Sequence, residues 1–228
     1  MSCLLAFDTS TEFGSVALVT PSGLITRFDK LGNTHSEYML PWIDEVLQEA
    51  GIKGKDLDGI VFGAGPGSFT GLRIACGLAQ GLGYGWDKKV LPVSTLAALA
   101  YQFKNQAKRI AVLNDARMSE CYAAVFEMTG GVLNVVTAEQ LIKPSQVGQW
   151  LAEYQSDFVV GTAVGVYEMA LPQKAQFVPT RAEYLLDYAQ GLASELQDAW
   201  VSPDAAAPLY VRDRVALTIK ERQAGERL

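Results

Sequence analysis

The sequence is poor in the residues that build metal and nucleophile sites. Of its 228 residues, 1 is histidine and 3 are cysteine. A single histidine excludes a metal site with two histidines from one chain, and a Ser-His-Asp triad would have to use His35. Cys3, Cys76 and Cys121 are far apart and form no CxxC pair. An odd, scattered set argues against a disulfide framework and fits a reducing compartment.

The chain also lacks the apolar and basic segments that direct proteins to membranes and nucleic acids. Its start, MSCLLAFDTSTEF, has no basic stretch and reaches Asp8 too early for a signal peptide. No apolar run approaches the roughly 18 residues of a membrane-spanning helix. The net charge is −6, and no Lys/Arg run supplies the charge that phosphate contacts need. We expect a cytoplasmic protein.

The hydrophobic pattern of the first half predicts three strands followed by alternating helices and strands. CLLAFDTS is a strand that ends at Asp8, and SVALVTPSGLITRFD gives two strands around the turn at Pro21–Gly23. The first helix is predicted from an N-cap at Ser36 to Gly51, with its regular part starting near Pro41. The remaining segments are the strand GIVFG, a glycine-rich helix, the strand KVLPVS and the helix TLAALAYQF.

The second half repeats this order in reduced form. RIAVLNDAR and ECYAAVFEMTGGVLNVVT predict three strands with a hairpin turn at Gly130-Gly131, and SQVGQWLAEYQ, DFVVGTA and AEYLLDYAQGLASELQ follow as helix, strand and helix. The pattern predicts an α/β protein of two βββαβα lobes, residues 1–104 and 105–228. Whether the last helix packs back on the first lobe stays open.

Residues 63–83, GAGPGSFTGLRIACGLAQGLG, have the form of a strand-to-helix phosphate loop, but neither nucleotide fingerprint is present. The loop has no lysine, and Ser68 or Thr70 stands where GxGxxG needs its last glycine. A helix N-terminus capped by either residue still offers N–H groups to an anion. The alternative, which we favour, is a tight turn with glycine where the backbone needs positive φ.

Three glycines recur every four residues in the following helix. Each costs roughly 0.5–1 kcal/mol relative to alanine, so a line of three calls for a neighbouring backbone that approaches closely. That neighbour is either internal or another chain. Aromatic residues four apart on the first helix favour another chain. We predict a partner interface on these two helices, formed by Tyr38, Trp42, Arg73, Gly77, Gly81 and Gly85.

A resemblance to the TsaB (YeaZ) family rests on six stretches in the same order: LLAFDTSTEFGSVAL, HSEYMLPWI, GAGPGSFTGLRI, LPVSTLAALA, DARMSECYAAVF and PLYVRDRVA. It spans nearly the whole chain. The resemblance implies an actin/Hsp70/sugar-kinase-like, RNase H-like fold in two lobes. It also implies a subunit that acts with the catalytic subunit TsaD and the ATPase TsaE to make threonylcarbamoyladenosine beside the anticodon of tRNAs that read A-starting codons.

The resemblance further implies a chain without a catalytic residue, metal or cofactor of its own. TsaD-like proteins carry a metal-binding HHMEGH segment where this chain has PVSTLAAL, and Thr95 and Leu99 stand in place of the two histidines. Contact with tRNA is then indirect or minor. A homodimer is expected to use the region that binds TsaD, and a regulatory dimer that competes with TsaD stays an alternative.

The stretch AFDTSTEFGSVAL is similar to the first phosphate loop of actin-like ATPases. Either it retains a nucleotide contact, or Asp8 and Thr9 only bond to nearby backbone N–H groups. We favour the second and expect a vestigial nucleotide loop of Asp8, Thr9, Ser10, Gly65, Gly67 and Ser68. An autonomous ATPase based on these residues is the competing function. A glycopeptidase is disfavoured by the histidine count.

The stretch DARMSE places three charged residues beside the expected cleft between the lobes. Asp115, Arg117 and Glu120 either contact a partner or ligand, or form surface ion pairs that contribute little stability. The sequence does not separate these alternatives.

Overall fold

Two sheets of the same topology carry the fold in the computed structural model, which describes residues 3–156 and 158–212. In the first sheet, β1 (Leu4–Asp8), β2 (Phe13–Thr20) and β3 (Gly23–Lys30) are antiparallel. On the other side of β1, β4 (Gly59–Gly65) and β5 (Val90–Ser94) pair in parallel. The strand order is therefore β3-β2-β1-β4-β5.

The second sheet repeats this order with shorter parallel strands. Its strands are β6 (Arg109–Asp115), β7 (Cys121–Thr129), β8 (Val132–Val135), β10 (Phe158–Val160) and β11 (Lys174–Gln176). Here β6, β7 and β8 are antiparallel, and β10 and β11 continue in parallel beside β6. A short strand, β9 (Gln140–Ile142), pairs with the other end of β7. We did not predict β9 and β11, because three-residue strands are too short for a hydrophobic period.

The helices occupy matching places in the two halves, with one omission. The first half has α1 (His35–Ala50), α2 (Phe69–Trp86) and α3 (Thr95–Tyr101), and the second has α4 (Val147–Glu153) and α5 (Ala182–Gly191). The described segment between β10 and β11 contains no counterpart of α2. The fold is thus the actin/Hsp70/sugar-kinase-like (RNase H-like) fold with a reduced second lobe, as predicted.

The first sheet is covered by helices on both faces. Side chains of a strand alternate between faces, so Leu5 and Phe7 of β1 pack with α1 and α2, and Leu4 and Ala6 pack with α5. Burial of both faces explains why β1 and β4 are apolar throughout. The C-terminal helix α5 therefore lies on the first sheet.

The second sheet is covered by α3 on one face and α4 on the other. Helix α3 belongs to the first half, so each half gives one helix to the other's sheet. The exchanged helices, α3 and α5, meet between the sheets, where the rings of Tyr101 on α3 and Tyr188 on α5 lie 5.6 Å apart, edge to face. The division of the chain at residues 104/105 stays a prediction.

Two predicted features of α1 were wrong and one is confirmed. The helix begins at His35 after an N-cap at Thr34, and Pro41 lies inside it. A proline inside a helix removes one N–H donor, and the turn before it is held by burial of His35 and Met39. His35 is 5% exposed, and its Nε2 lies 3.2 Å from the Phe13 carbonyl oxygen. Gly51 ends the helix in the left-handed conformation, with φ of 68°, as predicted.

The chain from residue 213 onward lies outside the described residues. It includes the end of the PLYVRDRVA stretch and the tail with Lys220, Glu221, Arg222 and Arg227.

The start of α2 touches the β1–β2 turn at Gly71, and this contact generates a stability prediction. A Cβ at Gly71 would lie 1.9 Å from the Thr9 carbonyl oxygen, whereas a Cβ at Gly77 would meet no described atom within 4 Å. We expect Gly71→Ala to lower the free energy of unfolding by about 1–3 kcal/mol, because backbone must move. Gly77→Ala is the matched control and should raise it by about 0.5–1 kcal/mol. Urea unfolding of both variants measures the difference, and equal stabilities would contradict the assigned contact.

Candidate functional site

The glycine turn, Gly65–Ser68, is filled by backbone of the neighbouring β1–β2 turn. The Ser10 carbonyl oxygen accepts a hydrogen bond from the Ser68 N–H at 2.7 Å. A Cβ at Gly67 would lie 2.4 Å from that oxygen. Glycine is thus required here for close approach of two backbones. A carbonyl oxygen stands where a phosphate loop needs donors, which supports the interpretation of a structural turn.

The other side of the glycine turn is closed by more distant segments. Gly65 has a φ of +124°, and its ideal Cβ position lies 2.6 Å from the Leu209 carbonyl oxygen. The Leu209 N–H donates to the Ala64 carbonyl at 2.7 Å, and the Thr95 hydroxyl donates to the Pro66 carbonyl at 2.8 Å. Of the two predicted caps, Ser68 caps α2, since its Oγ accepts from the Gly71 N–H, and Thr70 lies inside the helix.

Asp8 is fully buried beneath this turn. Its Oδ1 accepts hydrogen bonds from the Ser10 N–H (3.1 Å) and hydroxyl (2.8 Å), as expected of turn chemistry. Its Oδ2 has no hydrogen-bond partner and faces Gly63. Burial raises the pKa of Asp8 to about 6, although the Ser10 hydrogen bonds oppose this shift. Thr9 differs from the prediction, because its hydroxyl donates to the Gly71 carbonyl instead of accepting from a backbone N–H.

A cleft of about 530 Å³ lies between the two halves. Residues 10–12 and 67–69 form its first wall, and residues 115–117 with Tyr122 and Arg212 form the second. The Tyr122 hydroxyl donates across it to the Gly67 carbonyl at 3.2 Å. The three charged residues predicted near the cleft therefore lie at the end of β6 and in the loop that follows it, and two of them, Asp115 and Arg117, line the cleft.

The charged groups of the cleft are paired with one another. Asp115 accepts from the Tyr167 hydroxyl at 2.6 Å and forms an ion pair with Arg117 at 3.0 Å. Burial, together with the hydrogen bond to Asp115, raises the pKa of Tyr167 above its ordinary value. Glu120 pairs with Arg212 at 2.6 Å. The Arg117 side chain is 71% exposed, so its pair contributes little stability. Both arginines that line the cleft are thus paired with carboxylates.

Among the described residues, no three His, Cys, Asp or Glu side chains converge as metal ligands. Thr95 and Leu99 are fully buried. Thr95 bonds to the glycine turn, and Leu99 packs in the core beneath the second sheet. Both positions therefore serve packing. Likewise, none of the helices in the described ranges combines the length and hydropathy needed to cross a membrane.

One exposed surface of α2, which we call the glycine face, carries Arg73, Gly77, Gly81, Tyr84 and Gly85. A Cβ at any of its three glycines would meet no described atom within 4 Å. An internal neighbour therefore does not account for the glycine line within the described residues. Tyr84 is 87% exposed and was missed by sequence reasoning, although its place three residues after Gly81 and seven after Gly77 gives it the same face.

The aromatic pair of α1 lies on the same side of the first sheet as α2. Tyr38 is 44% exposed, whereas Trp42 is half-buried and packs on the core. Their ring centroids are 5.8 Å apart. The structure therefore brings the predicted residues of both helices to one side of the molecule, and their role as an interface stays a prediction.

The buried carboxyl of Asp8 generates a prediction of pH-dependent stability. Folding raises its pKa, so the folded state holds this proton more tightly than the unfolded chain. The resulting stabilisation is complete below about pH 4 and is lost as the pH rises through about 6. The parent loses this stabilisation between pH 4 and pH 7, whereas Asp8→Asn keeps a neutral side chain at both pH values. The free energy of unfolding of Asp8→Asn relative to that of the parent should therefore be about 2–3 kcal/mol higher at pH 7 than at pH 4. Urea unfolding of both proteins at both pH values measures this change, with pH 4 as reference. If parent and variant differ by the same free energy at pH 4 and pH 7, the raised pKa of Asp8 is wrong.

Comparisons with known proteins agree with this fold over most of the chain. A model of the TsaD family, described as tRNA N6-adenosine threonylcarbamoyltransferase, matches residues 30–216. The tRNA threonylcarbamoyladenosine biosynthesis protein TsaB of Haemophilus influenzae is 36% identical, over 93% of this chain and 94% of the relative. TsaB of Escherichia coli is 32% identical over 93% of this chain and 96% of the relative.

Two solved structures share the whole architecture. YeaZ from Pseudomonas aeruginosa is 34% identical and superposes with a TM-score of 0.78 over 92% of this chain and all of that one. A second Pseudomonas aeruginosa structure, described as similar to peptidase YEAZ, is 35% identical with a TM-score of 0.82, over 93% of this chain and 100% of that one. The extent of these matches confirms the family that the sequence stretches indicated, and the chain belongs to the TsaB (YeaZ) family.

Proposed function

We propose that the chain is a non-catalytic subunit in the synthesis of threonylcarbamoyladenosine in tRNA. In this proposal it binds a TsaD-like catalytic subunit through α1 and the glycine face, and a TsaE-like ATPase joins the assembly. The pathway is the one for which the TsaB relatives are named. Catalysis and most of the tRNA contact belong to the other subunits.

The chemistry of the described residues supports a non-catalytic role. The matching family model is named for a transferase, but this chain has Thr95 and Leu99 where the TsaD-like metal segment has histidines. The glycine turn is filled by a carbonyl oxygen, and the cleft arginines are paired with carboxylates. Neither place offers unpaired positive charge to a phosphate group.

The empty space over the glycine face is the observation that carries the proposal. Three exposed glycines lower the stability of α2, and no described neighbour uses the access they give to its backbone. A helix from another chain can pack more closely there than on a surface of larger side chains. Tyr84 lies on this surface and Tyr38 is exposed on α1, and both offer rigid aromatic area of the kind that anchors interfaces.

In this proposal the same face also forms a homodimer of the free protein. A two-fold dimer uses one patch of both copies, and a surface of exposed glycines and aromatic side chains is suited to such pairing. Self-association through the glycine face would then compete with the TsaD-like subunit for the same residues. Regulation by this competition is compatible with the assembly role.

Substitutions in the glycine face test the proposed interface. We expect Gly77→Leu and Gly81→Leu to remain folded, because their side chains enter open space. Both should weaken binding to the TsaD-like subunit of the same organism about tenfold or more, since leucine holds the helices apart; this corresponds to about 1.4 kcal/mol. Titration calorimetry measures the Kd, and light scattering after size exclusion measures the mass of the free and joint species.

Gln190→Leu is the matched control, because it adds an exposed leucine to α5, away from the glycine face. It should bind as the parent does. If both glycine variants also bind as the parent does, the interface lies elsewhere. If the parent itself forms no joint species with TsaD-like protein, with or without ATP and the TsaE-like protein, the assembly role is wrong.

The competing function, a weak autonomous ATPase, predicts turnover by the purified chain. It rests on the position of Asp8 at the end of β1, below the glycine turn. We expect phosphate release from Mg-ATP at the background rate, with no difference between the parent and Asp8→Asn. Turnover well above background that Asp8→Asn abolishes would replace the non-catalytic proposal.

A further inference from the structure

The segment 206–212, which we call the strap, begins in the core of the first lobe. Ala206 is 4% exposed and packs in the cluster between α1, α2 and the first sheet. Its carbonyl oxygen accepts hydrogen bonds from two side chains of α2, Cys76 Sγ at 3.4 Å and Gln80 Nε2 at 2.9 Å. The N-terminal end of the strap is therefore fixed to α2.

The middle of the strap runs along the first turns of α2, beside the glycine face. The Leu209 N–H donates to the Ala64 carbonyl at the end of β4. The Tyr210 ring lies 5.5 Å from the Phe69 ring, and its hydroxyl accepts from Arg73 Nε at 3.1 Å. The Arg73 guanidinium also covers Phe69, at 3.8 Å from the ring centroid. Arg73 thus belongs both to the glycine face and to the support of the strap.

The other end of the strap enters the second lobe. Val211 packs against the core between α3 and the second sheet. Arg212 is paired with Glu120 at 2.6 Å, and its guanidinium also lies 3.1 Å from Met118 Sδ. The Arg212 side chain is only 12% exposed, so this charged hydrogen bond is stronger than the exposed pairs of the cleft.

The loop that receives Arg212 has an unusual backbone. Arg117, Met118 and Ser119 have φ values of 61°, 55° and 56°, in the left-handed region that side chains other than glycine rarely adopt. A loop with three such residues keeps this shape only where its surroundings hold it. Glu120 ends the loop, and its ion pair with Arg212 joins the loop to the strap.

We propose that the strap fixes the angle between the two lobes, and that a partner docked on the glycine face holds the strap more firmly in place. The strap joins the cores of both lobes within a few residues, across the edge of the cleft. A partner that covers Arg73 and Tyr210 would hold the strap against α2 and thereby hold Arg212 on the 116–120 loop. The second half of this proposal rests on the proposed function.

The first experiment uses the isolated chain. Arg212→Met removes the charge but keeps an apolar stem, and Arg109→Met is the matched control, since Arg109 pairs with Glu127 inside the second lobe. Hydrogen exchange of the 116–120 amides should become about tenfold faster in Arg212→Met, the effect expected from loss of one charged hydrogen bond, and stay unchanged in the control. The double variant Arg212→Glu, Glu120→Arg should restore protection.

An interlobe distance gives an independent reading of the same variants. Spin labels on cysteines at the exposed positions Ser22 and Ser145, with Cys3→Ser, report the separation of the lobes. The distance distribution should be broader in Arg212→Met than in the parent and in the Arg109→Met control. Unchanged exchange and an unchanged distribution in folded Arg212→Met would overturn the role of the strap.

The second experiment adds the TsaD-like subunit. In the parent, saturation with this subunit should slow exchange of the 116–120 amides. In Tyr210→Ala, binding should weaken about fivefold, and the slowing should be lost even at saturation. By reciprocity, Arg212→Met should weaken the partner's affinity about fivefold, although it lies off the glycine face. Equal slowing in parent and Tyr210→Ala would overturn the coupling. If the parent does not bind the subunit at all, the proposed function and the coupling fail together. The experiment on the isolated chain still tests whether the strap fixes the angle between the lobes.

Discussion

The close contact between two backbones, the β1–β2 turn and the start of α2, is the constraint on which the rest of the structure depends. The Ser10 and Thr9 carbonyl oxygens occupy the space that side chains would fill at Gly67 and Gly71. This contact sets where α2 begins and how it lies on the first sheet. It also fills the place of a phosphate cradle with acceptors, so the feature that most suggests nucleotide binding is used for packing. The buried, partly unpaired Asp8 is a cost of the same arrangement.

Once α2 is fixed in this way, its apolar stripe faces the sheet, and Gly77, Gly81 and Gly85 face outward. The glycines of this helix and of the turn before it thus have two different physical roles. Gly67 and Gly71 allow contacts within the chain, and Gly77, Gly81 and Gly85 leave an open surface. The first role is visible in the structure, and the second underlies the proposed assembly. The strap lies between the two, because it is supported by Arg73 at the edge of the glycine face and ends at the charged loop of the second lobe.

The repeat of strands and helices was predictable because each segment has its own hydrophobic period. The predictions failed where longer-range packing overrides that period. Helix α1 runs through Pro41 because its first turn is held by buried His35 and Met39. Strands β9 and β11 form beside β7 and β10, which supply their hydrogen-bond partners, and their own three residues carry no hydrophobic period. Tyr84 was missed because an aromatic residue in a largely apolar helix is expected to be buried, and only its spacing from the glycines indicates the exposed face.

The sequence by itself determined which kinds of site the composition excludes, the repeated order of strands and helices, and the family. These depend on residue types and on local hydrophobic periods. It also determined that two metal-binding histidines are absent, because counting residues requires no coordinates. Only the tertiary structure decided which glycines are filled and which are open, and that Arg212 pairs with Glu120 across 92 residues of chain. It also decided that α3 and α5 each cover the sheet of the other half. Such contacts join segments distant in sequence, and no local pattern of residues records them.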